Sequence, residues 1–432
     1  MTDALYLRWT VTHDPSIRTA MAKLVATAQT YPAPCSRAAC PWWSDTPAWD
    51  AVTLMREYEV LGGDRRALAR AEQAFRYSSQ SQSFTRGACP EIPYQQPPAS
   101  RSPVKTLETD ANVIKASLLL YAATRDPAYL NFARVRYAAD RRIYLDPQVP
   151  LYTVQVVDDG RACSQMPHLF FASVNGDMIW DGLALWRATG EQHYRDEAVA
   201  TASAVNQNLS DARGVFVDIQ GANDVVEPLV EAMFDLGTNE HLAFASDWIV
   251  RNARAALSAR AADGTFSRLF DGPAQRVTSA WESNGGLTLE IAAAALDPDG
   301  IARDDSTWQA GRVVGVPLTT LPATIVVDGS GIALIGTIGQ AAAAAHVRVF
   351  IDGVETFDRD GLWQNPSMPR GDAVLFAWRW PQPGKHTIRL EPGDPHQVGT
   401  SVMHLQSFVL APPPSNDAVG VARAAAPVAA RQ

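Results

Sequence analysis

The stretch ANVIKASLLLYAATRDPAYLNFARVRYAAD, residues 111–140, decides the fold. Val113 to Ala123 is apolar on most faces, which suits a helix buried on all sides. Thr124-Arg125-Asp126-Pro127 then breaks it. Asp126 is an N-cap residue type and Pro127 fits the first helical position. Beyond the turn, Tyr129, Phe132, Ala133 and Tyr137 recur at helical spacing among charged residues, as in an outer helix that buries one stripe. The stretch therefore reads as an inner helix, a tight turn and an outer helix.

The same device recurs along the chain. Its turns are Thr12-His13-Asp14-Pro15, Gly62-Gly63-Asp64-Arg65, Thr189-Gly190-Glu191-Gln192 and Gly237-Thr238-Asn239-Glu240, and Leu296-Asp297-Pro298 closes the series. In each, a helix-ending Gly or Thr is expected to precede Asp, Glu or Asn as the next N-cap. Met178 to Ala188 and Leu287 to Leu296 are further apolar inner stretches. Six inner helices alternating with outer ones predict a closed (α/α)6 toroid of helical hairpins over residues 1–300. The unequal spacing of the turns excludes a regular solenoid.

The two ends of the series are uneven. The first inner helix has about eleven residues before its turn, and the sixth lacks an outer partner. We expect an N-terminally truncated chain whose signal peptide lies upstream, and so a secreted or periplasmic protein. From about Thr307 the pattern changes. Ile332 to Ile338, Val347 to Ile351, Val374 to Trp380 and His386 to Leu390 read as strands between Asp-Gly and Pro-Gly turns. A β-sandwich accessory domain is expected over 305–411, and a disordered Ala/Pro-rich tail over 412–432.

Composition narrows the function. Of 432 residues, 47% are hydrophobic and 19% charged, as in a globular protein. No apolar run is long enough to span a bilayer. A net charge of −9 without a basic block argues against a nucleic-acid partner. Cys35, Cys40, Cys89 and Cys163 all lie in segments read as loops, which fits one or two disulfides in an oxidising compartment, with four unpaired thiols as the alternative. No CxxC is present, so no metal is expected, and no cofactor is implied.

Loops leading from outer to inner helices open on one face of such a toroid, and the unusual residues gather there. They include Trp42, Trp43, Ser44, Asp45 and Trp49; Glu91, Tyr94, Lys105, Glu108 and Asp110; Tyr152, Asp158, Asp159, His168, Asn175 and Asp177; Asp218, Gln220, Asn223, Asp224 and Glu227; and Trp281, Glu282 and Asn284. Glycoside hydrolysis needs two carboxylates across the scissile bond, one protonated and one ionised. Sugars pack their C–H faces on Trp and Tyr while polar groups fix orientation. An acidic, Trp-rich concave face supplies these parts and points to a carbohydrate substrate. Each residue also has a structural explanation. Acids in first turns are expected from capping, Lys105 and Glu108 could be an i,i+3 pair, Asp158-Asp159-Gly160 reads as a turn, His168 can be a packing residue, and Trp281 can be core.

These segments resemble glycoside hydrolase family 76, endo-α-1,6-mannanases with an (α/α)6 barrel, over roughly residues 40 to 295. Ser44-Asp45-Thr46-Pro47-Ala48-Trp49 and Glu57-Tyr58-Glu59-Val60-Leu61-Gly62-Gly63-Asp64 follow the family's Asp-Asp pair and its Ala-Tyr-Glu-x-Thr-Gly-Asp helix end. Val104-Lys105-Thr106…Asp110-Ala111 and Ala172-Ser173-Val174-Asn175-Gly176 resemble two further family segments. The resemblance implies a glycoside hydrolase with Asp45 as one catalytic group. It also marks a departure, because the first aspartate of the pair is Ser44 here. A hydroxyl cannot replace a carboxylate nucleophile. The second role falls to Asp110 in the leading assignment, with Glu108, Asp177, Glu227 and Glu282 as other candidates. Trp42, Trp43, Trp49, Lys105, Glu108, Asn175, Asp177, Asp224, Glu227, Trp281 and Glu282 are the expected substrate-binding residues. Two other readings stay open. One is a non-catalytic glycan-binding protein, motivated by Ser44. The other is a lyase or sugar epimerase using His168 and Tyr152. In the β region, Trp363, Trp378 and Trp380 form either a sugar platform or packing.

Overall fold

Asp14, Asp64 and Asp126 each cap a helix, as the turn chemistry predicts. Their carboxylates accept from the backbone N–H of Ser16, of Arg66 and Ala67, and of Ala128. The computed structural model describes residues 2–31, 33–35, 43–81, 87–93, 103–166, 169–217, 226–277, 280–297, 308–317, 321–338, 347–356, 370–392 and 402–410. Its helices are α1 (Thr2–Thr12), α2 (Pro15–Thr27), α3 (Asp45–Val60), α4 (Arg65–Gln80), α5 (Leu107–Thr124), α6 (Pro127–Tyr144), α7 (Ala172–Thr189), α8 (Gln192–Asn208), α9 (Glu227–Thr238), α10 (Ala243–Ser258) and α11 (Ala280–Leu296).

The fifth turn departs from expectation. Asn239 is the C-cap of α9, and α10 begins only at Ala243 with Leu242 before it. The Asn239 side chain donates back to Asp235 Oδ1 (2.5 Å) instead of capping forward. Glu191 stands at the N-cap of α8 but makes no side-chain capping bond. Gly190 is left-handed at the end of α7 (φ 77°), a conformation glycine adopts without strain.

The inner and outer roles are visible in burial. Twelve of the 18 residues of α5 are buried, against five of 18 in α6, so α5 is enclosed and α6 buries one stripe. Helices α1, α3, α5, α7, α9 and α11 contact one another in turn, and α11 packs back on α1. The even-numbered helices lie against this ring. Backbones approach closely between α7 and α9. A Cβ on Gly176 would fall 2.2 Å from the Leu229 amide nitrogen, so only glycine fits there.

Two antiparallel sheets complete the described structure. The first has β1 (Val104–Thr106), β2 (Gln155–Asp158) and β3 (Cys163–Gln165), in that order, in segments expected to be loops. A Cys89–Cys163 disulfide ties the 87–93 segment to it, and no described cysteine is free. The second sheet has β4 (Trp308–Pro317), β5 (Ala323–Ile338), β6 (Val347–Ile351), β7 (Val354–Glu355), β8 (Arg370–Pro392) and β9 (Val402–Leu410), in the order β4-β9-β5-β8-β6-β7. The two expected strands Val374 to Trp380 and His386 to Leu390 are both parts of β8. Gly329 pairs with Gly384 and Gly331 with Arg379, so Trp380-Pro381-Gln382-Pro383 bulges opposite Ser330. Prolines cannot donate to a ladder and are accommodated at such a bulge.

The sheet packs on the helical part. Val217 joins the sheet's main apolar cluster, and Leu269 packs on Ala333, Val374 and Ala377. Arg379 Nε donates to the Asp271 carbonyl (2.6 Å). No helix among the described residues is long and apolar enough to cross a membrane. The 412–432 tail lies outside the described residues.

Candidate active site

An α-helix turns about 100° per residue, so residues 4, 7 or 11 apart share a face. Arg56 of α3 reaches Asp3 of α1 and Glu231 of α9, placing its face of α3 toward the ring's interior. Asp45 lies eleven residues earlier on that face, in the first turn of α3, and Trp49 lies between them. Lys115 of α5 also points inward, to Asp177 of α7 (3.1 Å) and Glu231 (2.7 Å). Glu108, seven residues before Lys115, shares its face. Ser173, one turn before Asp177, donates its hydroxyl to Glu108 Oε2 (2.8 Å). Glu227, one turn before Glu231, accepts from the Asn284 side chain of α11. Glu282 is buried in the first turn of α11.

Two tiers result. At the N-terminal ends of the inner helices stand Asp45, Trp49, Glu108, Ser173, Glu227 and Asn284. Beneath them runs an ion network of Asp3, Arg56, Lys115, Asp177 and Glu231. Burial alone would raise Glu231, but Arg56 and Lys115 overcome it and hold the carboxylate below its ordinary range. Burial raises Asp177 despite Lys115, and raises Asp181 well above the ordinary range. In the upper tier, burial raises Asp45, while backbone hydrogen bonds at the helix start oppose it. Asp45 is thus biased toward holding a proton, as a general acid requires.

Other expected site residues face elsewhere. Asp110 lies two residues from Glu108 and so on the opposite side of α5. It is buried against Arg136 of α6 (3.2 Å), beside Asp140. Lys105 is fully buried, donates to the Cys89 and Ile92 carbonyls and lies 3.4 Å from Asp158. Asn175 is spent on the backbone of Tyr152 and Phe171. All three make their contacts with loops and neighbouring helices. Asp177 does face the interior but is consumed by Lys115, one tier below Asp45. Tyr152 is buried with its hydroxyl accepting from Arg141 (2.8 Å), away from the ring's mouth.

Asp158 accepts from the backbone N–H of Ala88, Cys89 and Gly160. These bonds and Lys105 outweigh its burial and hold it below the usual range, as a structural turn anchor. Cys89, Asp158 and Cys163 cluster like metal ligands, but the two sulfurs are joined to each other. Trp43 is exposed (45%) just before α3, and Trp49 is half-buried. Trp42, Tyr94, His168, Asp218, Gln220, Asn223, Asp224 and Trp363, and the Trp281 side chain, lie outside the described residues.

Apart from Asp177, the lower tier was missed by sequence reasoning. Its signal is a lone charge inside an apolar inner helix, as in Ile114-Lys115-Ala116. Such a charge is tolerated only when paired.

No family model matches the sequence, and no curated protein matches it. Solved structures do. An inactive variant of the α-1,6-mannanase GH76A of Salegentibacter, with two adjacent aspartates replaced and α-1,6-mannotetrose bound, aligns at TM-score 0.59 and 19% identity, over 68% of this chain and 87% of that one. A GH76 α-mannanase of Bacteroides thetaiotaomicron aligns at TM-score 0.57 and 16% identity, over 69% and 84%. Dfg5 of Chaetomium thermophilum, in complex with glucosamine, aligns at 0.54 and 16%, over 68% and 78%.

The chain has the fold of these GH76 α-mannanases. At this identity the likeness speaks to the fold. Against it, Ser44 takes on meaning: it is fully buried, its hydroxyl lies 2.6 Å from Thr109 Oγ1 and its carbonyl accepts from Ser78. The side chain preceding Asp45 is therefore spent on joining α3 to α5.

Proposed function

We propose that this chain is a glycoside hydrolase of the six-hairpin (α/α)6 type, acting on an α-mannosidic poly- or oligosaccharide at the mouth of its helical ring. The observation that carries the reading is Asp45, raised by burial at the inward start of α3, among Trp49, Glu108 and Glu227 in a fold shared with α-mannanases. Asp45 serves as general acid and base. Glu108 serves as the opposing carboxylate in place of Asp110, because Asp45 and Glu108 adjoin the two residues of the Ser44–Thr109 contact and so stand at one level on neighbouring helices. Ser173 orients Glu108 through its hydrogen bond. Trp43 and Trp49 offer faces for sugar stacking. Residues 1–300 form the catalytic domain and 305–411 an accessory β-sandwich. The Cys89–Cys163 disulfide supports a secreted or periplasmic location.

The test is reducing-end release from α-1,6-mannan and α-1,6-mannotetraose. Asp45→Asn and Glu108→Gln are each expected to lower the rate by about 10²–10⁴-fold with folding unchanged by circular dichroism. Full activity in Asp45→Asn would remove the assignment. Ser44 supports a second reading, a glycan-binding protein without turnover. Binding of mannotetraose by the wild type without any product would favour it.

A further inference from the structure

We propose that the joint between α8 and the β4–β9 sheet is a second saccharide-binding site, independent of the ring's mouth. A cavity of about 410 Å³ opens there, within the roughly 300–1,000 Å³ range of small-molecule sites. Trp378 and Trp380 line one side of it, and Gln207, Asn208 and Ser210 the other. The tryptophans are two apart in β8 and so share a sheet face.

The two tryptophans differ in their state. Trp380 is fixed from behind: His386 stacks on it (centroids 3.7 Å, planes 9° apart), and its side chain hydrogen-bonds Asp352. Trp378 is only partly buried, and its buried Nε1–H has no partner among the described residues. The Ser210 hydroxyl across the cavity is likewise buried without a partner among the described residues. A buried unsatisfied donor costs about 1–3 kcal/mol. Two of them lining one cavity imply a ligand that supplies acceptors. Gln207 and Asn208 donate to Ser203 Oγ (3.1 Å) and the Ala204 carbonyl (2.9 Å), which leaves their carbonyl oxygens to accept.

The charge pattern selects the ligand class. None of the described lining residues is basic. Both acids are occupied, Asp352 by His386 (2.8 Å) and the Thr387 N–H (2.8 Å), and Glu355 by Arg348 (2.7 and 2.5 Å). An anion has no counter-charge here, and a cation finds no free carboxylate. A neutral, hydroxyl-rich molecule with an apolar face fits the aromatic wall and the unpaired polar groups together. A hexose unit of an oligosaccharide has both properties.

The full chain, labelled with ¹⁵N-tryptophan and carrying Asp45→Asn to prevent turnover, is titrated with α-1,6-mannotetraose, maltotetraose and cellotetraose to millimolar concentration. The Trp378 indole N–H signal, assigned with Trp378→Phe, is expected to move with at least one of them. It is expected to move equally in Trp49→Ala, which disturbs only the ring's mouth. Ser210→Ala, which removes only the hydroxyl oxygen, is expected to weaken that binding about tenfold. A Trp378 signal unmoved by all three sugars, a shift that disappears with Trp49→Ala, or unchanged affinity in Ser210→Ala would each overturn the proposal. None of these readouts depends on hydrolysis, so failure of the catalytic reading is seen separately.

Discussion

Replacing Lys115 by Met tests the ion network beneath the site. Lys115 is buried, bridges Asp177 (3.1 Å) and Glu231 (2.7 Å), and lies over the Trp180 ring at 5.0 Å. Methionine keeps most of the volume and removes the charge. Glu231 retains Arg56, whereas Asp177 loses its cationic partner. Burial already raises Asp177, so loss of Lys115 moves it further toward the protonated form. The unfolded carboxyl titrates near ~3.9, and each pH unit above that costs about 1.4 kcal/mol. The ceiling on the penalty is therefore about 4 kcal/mol at pH 7 and about 1.5 kcal/mol at pH 5. The sign follows from the folded pKa lying above the unfolded one. The contribution is fully present below the unfolded value and is lost as pH rises toward the folded value. Urea unfolding of wild type and Lys115→Met at both pH values measures the difference. Adding Asp177→Asn to Lys115→Met should restore much of the stability at pH 7 and flatten the pH dependence. An equal penalty at pH 5 and pH 7, or no rescue by Asp177→Asn, would refute the reasoning.

Three further outcomes are expected. Gly176→Ala should destabilise by about 1–3 kcal/mol in urea unfolding, because its methyl would sit 2.2 Å from the Leu229 nitrogen; helix propensity alone would predict a gain of about 1 kcal/mol. Glu57 is buried and pushed up to about 7 by burial and by Asp50, so its folded proton is lost near neutrality. Glu57→Gln should therefore raise the melting temperature relative to wild type at pH 8 and change it little at pH 5. Cys89→Ala with Cys163→Ala should cost about 2–4 kcal/mol, and the 87–93 segment should become sensitive to limited proteolysis.

The helices were legible where capping chemistry is specific. Asp14, Asp64 and Asp126 each mark a helix start because a short carboxylate satisfies the first N–H groups. Asn239 misled because asparagine can end a helix as readily as begin one. The site was legible as a face but not as a list. Asp110 and Glu108 look equivalent in a loop; once α5 starts at Leu107, two residues of rotation turn one inward and the other toward Arg136. Lys105 and Asn175 look like sugar ligands by type, yet both are consumed by backbone groups of loops that no local pattern brings together. The β1–β3 sheet was invisible because its strands are only three or four residues long and β1 pairs with β2 across some 50 residues of sequence.

Ser44 is where fold and chemistry separate. A carboxylate at this position would be fully buried, facing Thr109 at hydrogen-bond distance and Ser78 behind it. The first turn of α3 favours an anion, but burial opposes one unless several donors meet it. A serine hydroxyl is neutral, and its contact with Thr109 joins α3 to α5 without a charge. What it gives up is a second acid beside Asp45. On the proposed function the opposing group comes from another helix. Ser44→Asp separates the possibilities in the reducing-end assay. If catalysis runs through Asp45 and Glu108, the added charge raises the Asp45 pKa further and shifts the pH profile of an activity the wild type already has. If the chain only binds glycans because the pair is broken, Ser44→Asp creates activity where the wild type has none.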